Sequence, residues 1–240
     1  MWPFPTISNN VLAITCTPQE LTCSLIRPTR IARRYELYAH YCYPLKHYEL
    51  EQLILFNPTT LYTYVQEIIT KHRLANSTCV VALQGPSITQ RIITSNQSPP
   101  LYHQIADPRL KNMQWDYYYL YPEDDGQAAW YVAGIKHALI IQWKLLFSRL
   151  PVHLTGITTD SMALLYAYKH LYGSAFRSTQ SAIDIKKLMG SSFHGLLSHE
   201  LMRRALALNS SLANSMLHTS PAVTTALGLF LLGRTAYETN

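Results

Sequence analysis

The stretch Cys79-Val80-Val81-Ala82-Leu83-Gln84-Gly85-Pro86-Ser87-Ile88-Thr89-Gln90-Arg91-Ile92-Ile93-Thr94 decides the fold. Its first five residues are apolar without a break. A strand with one wet face alternates apolar and polar residues, whereas an unbroken run suits a strand covered on both faces. Gly85-Pro86-Ser87 reads as a turn, and Ile88 to Thr94 as a second, short strand.

Upstream, Pro44 to Arg73 is helical in pattern but broken at Asn57-Pro58, because the residue before a proline avoids the helical region. The second part opens with Asn57 as cap and Pro58 at the first helical position. It places Leu61, Tyr64, Val65, Ile68 and Ile69 on one face. Before it, Val11 to Cys16, Leu21 to Ile26 and Ile31 to Tyr43 read as three strands joined by short turns. Downstream, residues 95–114 carry three prolines and read as an irregular excursion with one short helix. Trp115 to Tyr121 reads as an aromatic strand. Pro122-Glu123-Asp124-Asp125-Gly126 is a hairpin turn, and Ala128 to Ala133 is the return strand.

A helix is expected from Gly134, with Ile135, Leu139, Trp143, Leu146 and Leu150 on one face, stopping at Pro151. Val152 to Thr158 reads as a strand. A helix capped by Asp160 or Ser161 runs through Leu171 to Gly173. Phe176 to Met189 is expected to hold a strand and a turn, and Phe193 to Leu208 a helix. A last helix starts at Ser220-Pro221 and ends at Gly233. It is apolar nearly all round, as a buried helix is. There is no internal repeat.

The chain has 240 residues, 48 % apolar and 14 % charged, with net charge +6. An apolar-rich, charge-poor chain of this length buries a sizeable core and is not disordered as a whole. Four cysteines, Cys16, Cys23, Cys42 and Cys79, form no CxxC pair and no zinc-knuckle spacing, so buried reduced thiols in strands are expected. No run approaches the ~18 apolar residues of a membrane span, and Met1-Trp2-Pro3-Phe4-Pro5 lacks the pattern of a signal peptide. A cytosolic protein is expected.

Candidate chemistry is sparse. Gly85-Pro86-Ser87 follows a buried strand, but a nucleophile elbow needs glycine where Thr89 stands. No glycine-rich phosphate loop occurs. Ten histidines include no HExxH, and His194 and His199 are five apart, off a common helix face. The cluster Trp115, Tyr117, Tyr118, Tyr119 and Tyr121 lacks the interleaved cations of a nucleic-acid platform. It reads as a strand with one core face and one aromatic ledge. No metal and no cofactor are expected.

Four segments carry a family resemblance. They are Val11 to Cys16 with Leu21 to Ile26; Val80 to Ile93, similar to a family stretch V-V-A-L-P-G-S-x-V-I-x-K-x-I; Asp116 to Leu120, Trp130 to Gly134 and Thr155 to Ala167, in order; and Ala226-Leu227-Gly228-Leu229. Their order resembles the actin-like ATPase superfamily. More narrowly, the chain resembles the PilM family of type IV pilus assembly proteins, relatives of the cell-division protein FtsA.

The resemblance implies an actin-like (RNase H-like) core with an inserted α/β subdomain and a reduced second half. It divides the chain into a first core subdomain over 1–86, an insertion over 87–173 and the reduced half over 174–240. The family's phosphate loop D-x-G-S/T puts its acid at Thr15 and its glycine at Thr17. The nearest second acid is Asp184, followed by lysine at the glycine position. Neither threonine supplies what a loop of this kind needs, a carboxylate for metal-bound water and a backbone open to phosphate. The expectation is therefore a pseudo-ATPase, not an enzyme. The resemblance implies a cytoplasmic scaffold, recruited to the inner membrane face by gripping the N-terminal peptide of a PilN-like inner-membrane protein. The groove walls expected from the sequence are Val80, Ala82, Gly85, Ser87, Tyr131, Ala133 and Leu139, with at least half of them serving as core. Three rival readings stand beside it. One is a divergent ATP-binding protein keeping Asp184. Another is a cytosolic component of a type II secretion system. The third is a basic nucleic-acid module, whose binding would depend strongly on salt.

Overall fold

β1 (Val11–Cys16) lies inside the larger of two sheets, antiparallel to β2 (Glu20–Pro28) on one side and parallel to β4 (Thr78–Leu83) on the other. The computed structural model describes residues 10–31, 33–45, 58–85, 87–100, 102–107, 110–123, 126–172, 199–209, 212 and 220–238. β3 (Tyr35–Pro44) pairs antiparallel with β2, and β8 (His153–Thr159) pairs parallel with β4. β9 (Leu206–Leu208) runs parallel to the start of β3, so the order is β8-β4-β1-β2-β3-β9.

Every residue of β1 and β4 is buried, as the unbroken apolar runs require. Leu12, Ile14, Cys16, Cys79, Val81 and Leu83 face a layer made by α1 (Pro58–His72) and α3 (His137–Phe147). Val11, Ala13, Val80 and Ala82 face the opposite layer of α4 (Asp160–Tyr172), α5 (His199–Ala205) and α6 (Pro221–Glu238). Burial on both faces is thus shared between two helical layers.

The smaller sheet is antiparallel, in the order β5 (Ile88–Ser95), β7 (Ala128–Lys136), β6 (Met113–Pro122). α2 (Tyr102–Ile105) flanks it, with Ile105 buried. Arg91 ties α2 down, its Nη2 donating to the Ile105 carbonyl at 2.6 Å. One face of this sheet packs Leu120, Tyr121, Tyr131 and Ala133 on Met162, Leu165 and Tyr168 of α4. Ala163 of the same helix belongs to the core of the large sheet. α4 therefore stands between the two sheets.

Several sequence expectations shift. Gly134 to Lys136 continue β7, and α3 starts at His137, because Ile135 pairs with Ile88 and Gln114. Leu206 to Leu208 are strand, not the end of a helix; pairing with Tyr35 to Leu37 overrides local propensity. The closing helix passes Gly233 and ends at Glu238. Of the stretch 87–173, Ile88 to Lys136 build the small sheet, while β8 returns to the large one. Cys16, Cys23 and Cys79 are buried free thiols, but Cys42 is exposed. The helix before Asn57, the strand and turn over 176–189, and Asp184 lie outside the described residues.

Candidate functional site

β8 is an edge strand, paired only with β4 among the described residues. An edge presents unpaired N–H and C=O groups, a template for another strand. Beside it runs a groove of about 530 Å³, lined by His153 to Ile157, by Ile140, Lys144, Phe147 and Ser148, and by Val152 and Gln114. Ile140, Phe147 and Val152 belong to the main core, and Leu154 and Ile157 pack against it. The groove therefore has an apolar floor continuous with the core and a polar rim. Lys144 is the one lysine or arginine among its described lining residues.

The edge is not uniform. The register shifts between Cys79 and Val80, so Cys79 pairs with Leu154 and Val80 with Gly156. Thr155 is the extra residue, and its hydroxyl donates to the Cys79 carbonyl at 3.1 Å. Such a bulge bends an edge strand and blunts indiscriminate pairing.

A buried clasp fixes the two sheets against each other. The Tyr131 hydroxyl donates to Gln90 Oε1 at 2.6 Å. Its one proton being used, it accepts from the Thr159 hydroxyl at 2.8 Å. Thr159 Oγ1 in turn accepts from the Met162 N–H at 3.2 Å, the bond of an N-cap residue at the start of α4. Burial pushes the Tyr131 phenol well above its usual range.

Of the seven expected groove walls, all but Gly85 are buried, and none lines the groove beside β8. Val80 and Ala82 lie in the core with α6, Ala133 faces α4, and Leu139 packs under the large sheet. Ser87 stands where the chain passes between the sheets, its carbonyl accepting from Lys136 N–H at 3.2 Å. The groove uses the next elements along, the edge of β8 and the outer side of α3. Strand order decides which strand is an edge, and order is not written in local periodicity.

At the expected phosphate end the turn after β1 makes its own hydrogen bonds. Thr17 Oγ1 accepts from the backbone N–H groups of Gln19 and Glu20 at 3.2 and 3.0 Å. Thr15 is buried in β1. Gly85, at φ +138°, holds a conformation that favours glycine, and a Cβ there would stand 3.4 Å from Pro18 Cγ. The aromatic strand alternates as far as Tyr119; a register shift there puts both Leu120 and Tyr121 against α4. Tyr118 packs toward α4, while Tyr117 and Tyr119 meet the Trp130 ring edge-on at 5.6 and 5.4 Å. Among the described residues, no three His, Cys, Asp or Glu side chains gather as a metal site, and no helix is long and apolar enough to cross a membrane.

No family model matches the chain, and no curated protein matches it. Among solved structures, a chain of the "PilM-PilN type IV pilus biogenesis complex" aligns over 93 % of this chain and 98 % of its own, at a TM-score of 0.60 and 13 % identity. The chain has an actin-like α/β fold. Two further structures superpose too loosely to bear on it. The cytoplasmic domain of EpsL, an inner-membrane component of the Vibrio cholerae type II secretion system, covers 64 % of this chain and 57 % of its own, with a TM-score of 0.40 and 11 % identity. A Bacteroides thetaiotaomicron protein with an actin-like ATPase fold and unknown function covers 91 % and 98 %, with a TM-score of 0.39 and 11 % identity.

Proposed function

We propose that this chain is a non-catalytic scaffold in the assembly machinery of a type IV pilus or a related secretion system, working at the cytoplasmic face of the inner membrane. Its groove beside β8 holds the extended N-terminal peptide of a PilN-like inner-membrane protein. The observation that carries this reading is the bulged edge of β8, unpaired on its outer side among the described residues, above an apolar floor. An extended peptide adds main-chain hydrogen bonds to such an edge and sinks alternate side chains into the floor. The solved neighbour with the same fold is a chain of a two-component pilus complex. ATP hydrolysis is not part of the reading. Thr15 and Thr17 stand where the family loop has its acid and glycine, and the Thr17 hydroxyl already takes two turn N–H groups.

The test is a binding titration with a synthetic peptide from the N-terminus of the neighbouring inner-membrane protein. Ser148 is exposed and lines the groove, so Ser148→Trp obstructs the groove without touching the core. Peptide affinity should fall by about tenfold or more with the melting temperature unchanged. Equal affinity in the variant would place any peptide site elsewhere.

A further inference from the structure

The end of the large sheet where β1, β4 and β8 begin gathers exposed arginines among the described residues. The hairpin between β2 and β3 projects there, because Ile26 pairs with Val11 and Leu37. Its tip holds Arg30, Ile31, Arg33 and Arg34, all exposed, with Ile31 at 59 %. The tip is tied rather than loose. Thr29 N–H and Oγ1 both donate to the Arg34 carbonyl, at 3.0 and 2.8 Å, and Arg34 N–H donates to the Ile31 carbonyl at 3.1 Å. Arg203 lies in the last turn of α5, which ends just before β9, and the first residue of β9 pairs with Tyr35, so this turn stands beside the hairpin. Burial lowers the pKa of His170 on α4, and the charge of Arg33 adds to the shift, so the hairpin tip lies near the end of that helix.

The same end gathers the last turns of the other layer. Arg73 follows α1, and Arg149 follows α3; the two loops touch through Asn76 N–H donating to the Pro151 carbonyl at 2.7 Å. Both arginines are exposed. Strands are about 4.8 Å apart, so the rim from β8 to β9 is roughly 25 Å wide. Four acidic groups among the described residues leave it uncompensated. Glu36 is bound to Arg27 at 2.8 Å. Glu20 pairs with Pro44 at the opposite end, Glu67 acts on Tyr43 there, and Asp160 follows the last residue of β8.

We infer that this rim, with the Arg30–Arg34 hairpin as its leading edge, is a docking surface for an anionic lipid bilayer. Arginines attract anionic headgroups over about a Debye length. An exposed isoleucine flanked by arginines suits the boundary between headgroup and acyl chain, and it has no counterpart on a phosphate backbone. The inference is independent of the peptide reading. His153 and Ser148 put one mouth of the groove at this same end, however, so a peptide leaving it would emerge toward the membrane.

The test uses the full chain and no peptide. It is sedimented with vesicles of phosphatidylcholine alone, or with about 30 mol % phosphatidylglycerol. Binding should appear only with the anionic lipid and be lost on raising salt to about 0.5 M. Each arginine near the surface is worth about fivefold in partitioning, so Arg30→Gln/Arg33→Gln/Arg34→Gln should weaken it by roughly a hundredfold. Ile31→Ser should weaken it several-fold. Thermal melts check that both variants fold. Should the triple variant not fold, Arg73→Gln/Arg203→Gln supplies the same comparison with an expected loss of about 25-fold. No binding to anionic vesicles, or unchanged binding by the folded charge variants, overturns the inference. So does duplex DNA binding that is tighter than vesicle binding and indifferent to Ile31→Ser.

Discussion

Two hydroxyls hold the geometry on which the groove depends. Tyr131 on the small sheet and Thr159 at the end of β8 share a buried hydrogen bond, and each makes a second bond, to Gln90 and from Met162. Tyr131→Phe removes two bonds and leaves Gln90 Oε1 and the Thr159 hydroxyl to find other partners. The expected cost is about 1–2 kcal/mol, read as a fall in melting temperature of roughly 2–8 °C. Thr159→Val should cost more, because it also removes the cap of α4. Peptide affinity should fall with Tyr131→Phe, although Tyr131 does not line the groove. A variant that melts and binds as the parent does would mean the clasp is ornamental. At this scale the sequence was partly legible. Tyr131 could be singled out as lying at a junction, but its partner Thr159 is 28 residues away and no local pattern joins them.

Helix contacts set the second scale. A Cβ on Gly228 of α6 would stand 1.7 Å from the Ala163 carbonyl oxygen of α4. The obstacle is backbone, so the two helices must part to admit a methyl group. Gly228→Ala should destabilise the fold by about 1–3 kcal/mol, or more if the helices cannot slide. Chemical denaturation measures this directly, and a neutral result would show that α6 is loosely seated. The motif Ala226-Leu227-Gly228-Leu229 was visible in the chain, and here its glycine acquires a physical reason. The elements that periodicity foretold are those with long apolar stripes, α1 and β4 among them. Those it misplaced owe their form to partners. Residues 134–136 are strand because two neighbouring strands pair with them, and 206–208 because β3 offers an edge. The groove was displaced for the same reason. The unbroken run 79–83 drew attention to β4, while the open edge belongs to β8, one strand further out.

The whole molecule has two distinct ends. Where β4 and β8 finish, the Thr17 turn makes its own hydrogen bonds and Pro18 lies beside Gly85. Where they begin, the arginine rim and one mouth of the groove lie together. This polarity suits a protein that holds a membrane partner and turns over no nucleotide. One thermal-shift titration with two ligands tests that account most directly: the synthetic N-terminal peptide of the inner-membrane partner, and Mg-ATP. A ligand that prefers the folded state adds about 2.7 kcal/mol at a hundredfold excess over its dissociation constant. For a domain of this size that is roughly 5–10 °C. The account predicts a shift of that order with the peptide and none with Mg-ATP. A shift with Mg-ATP and none with the peptide would contradict it, and would return the chain to the nucleotide-binding members of its fold.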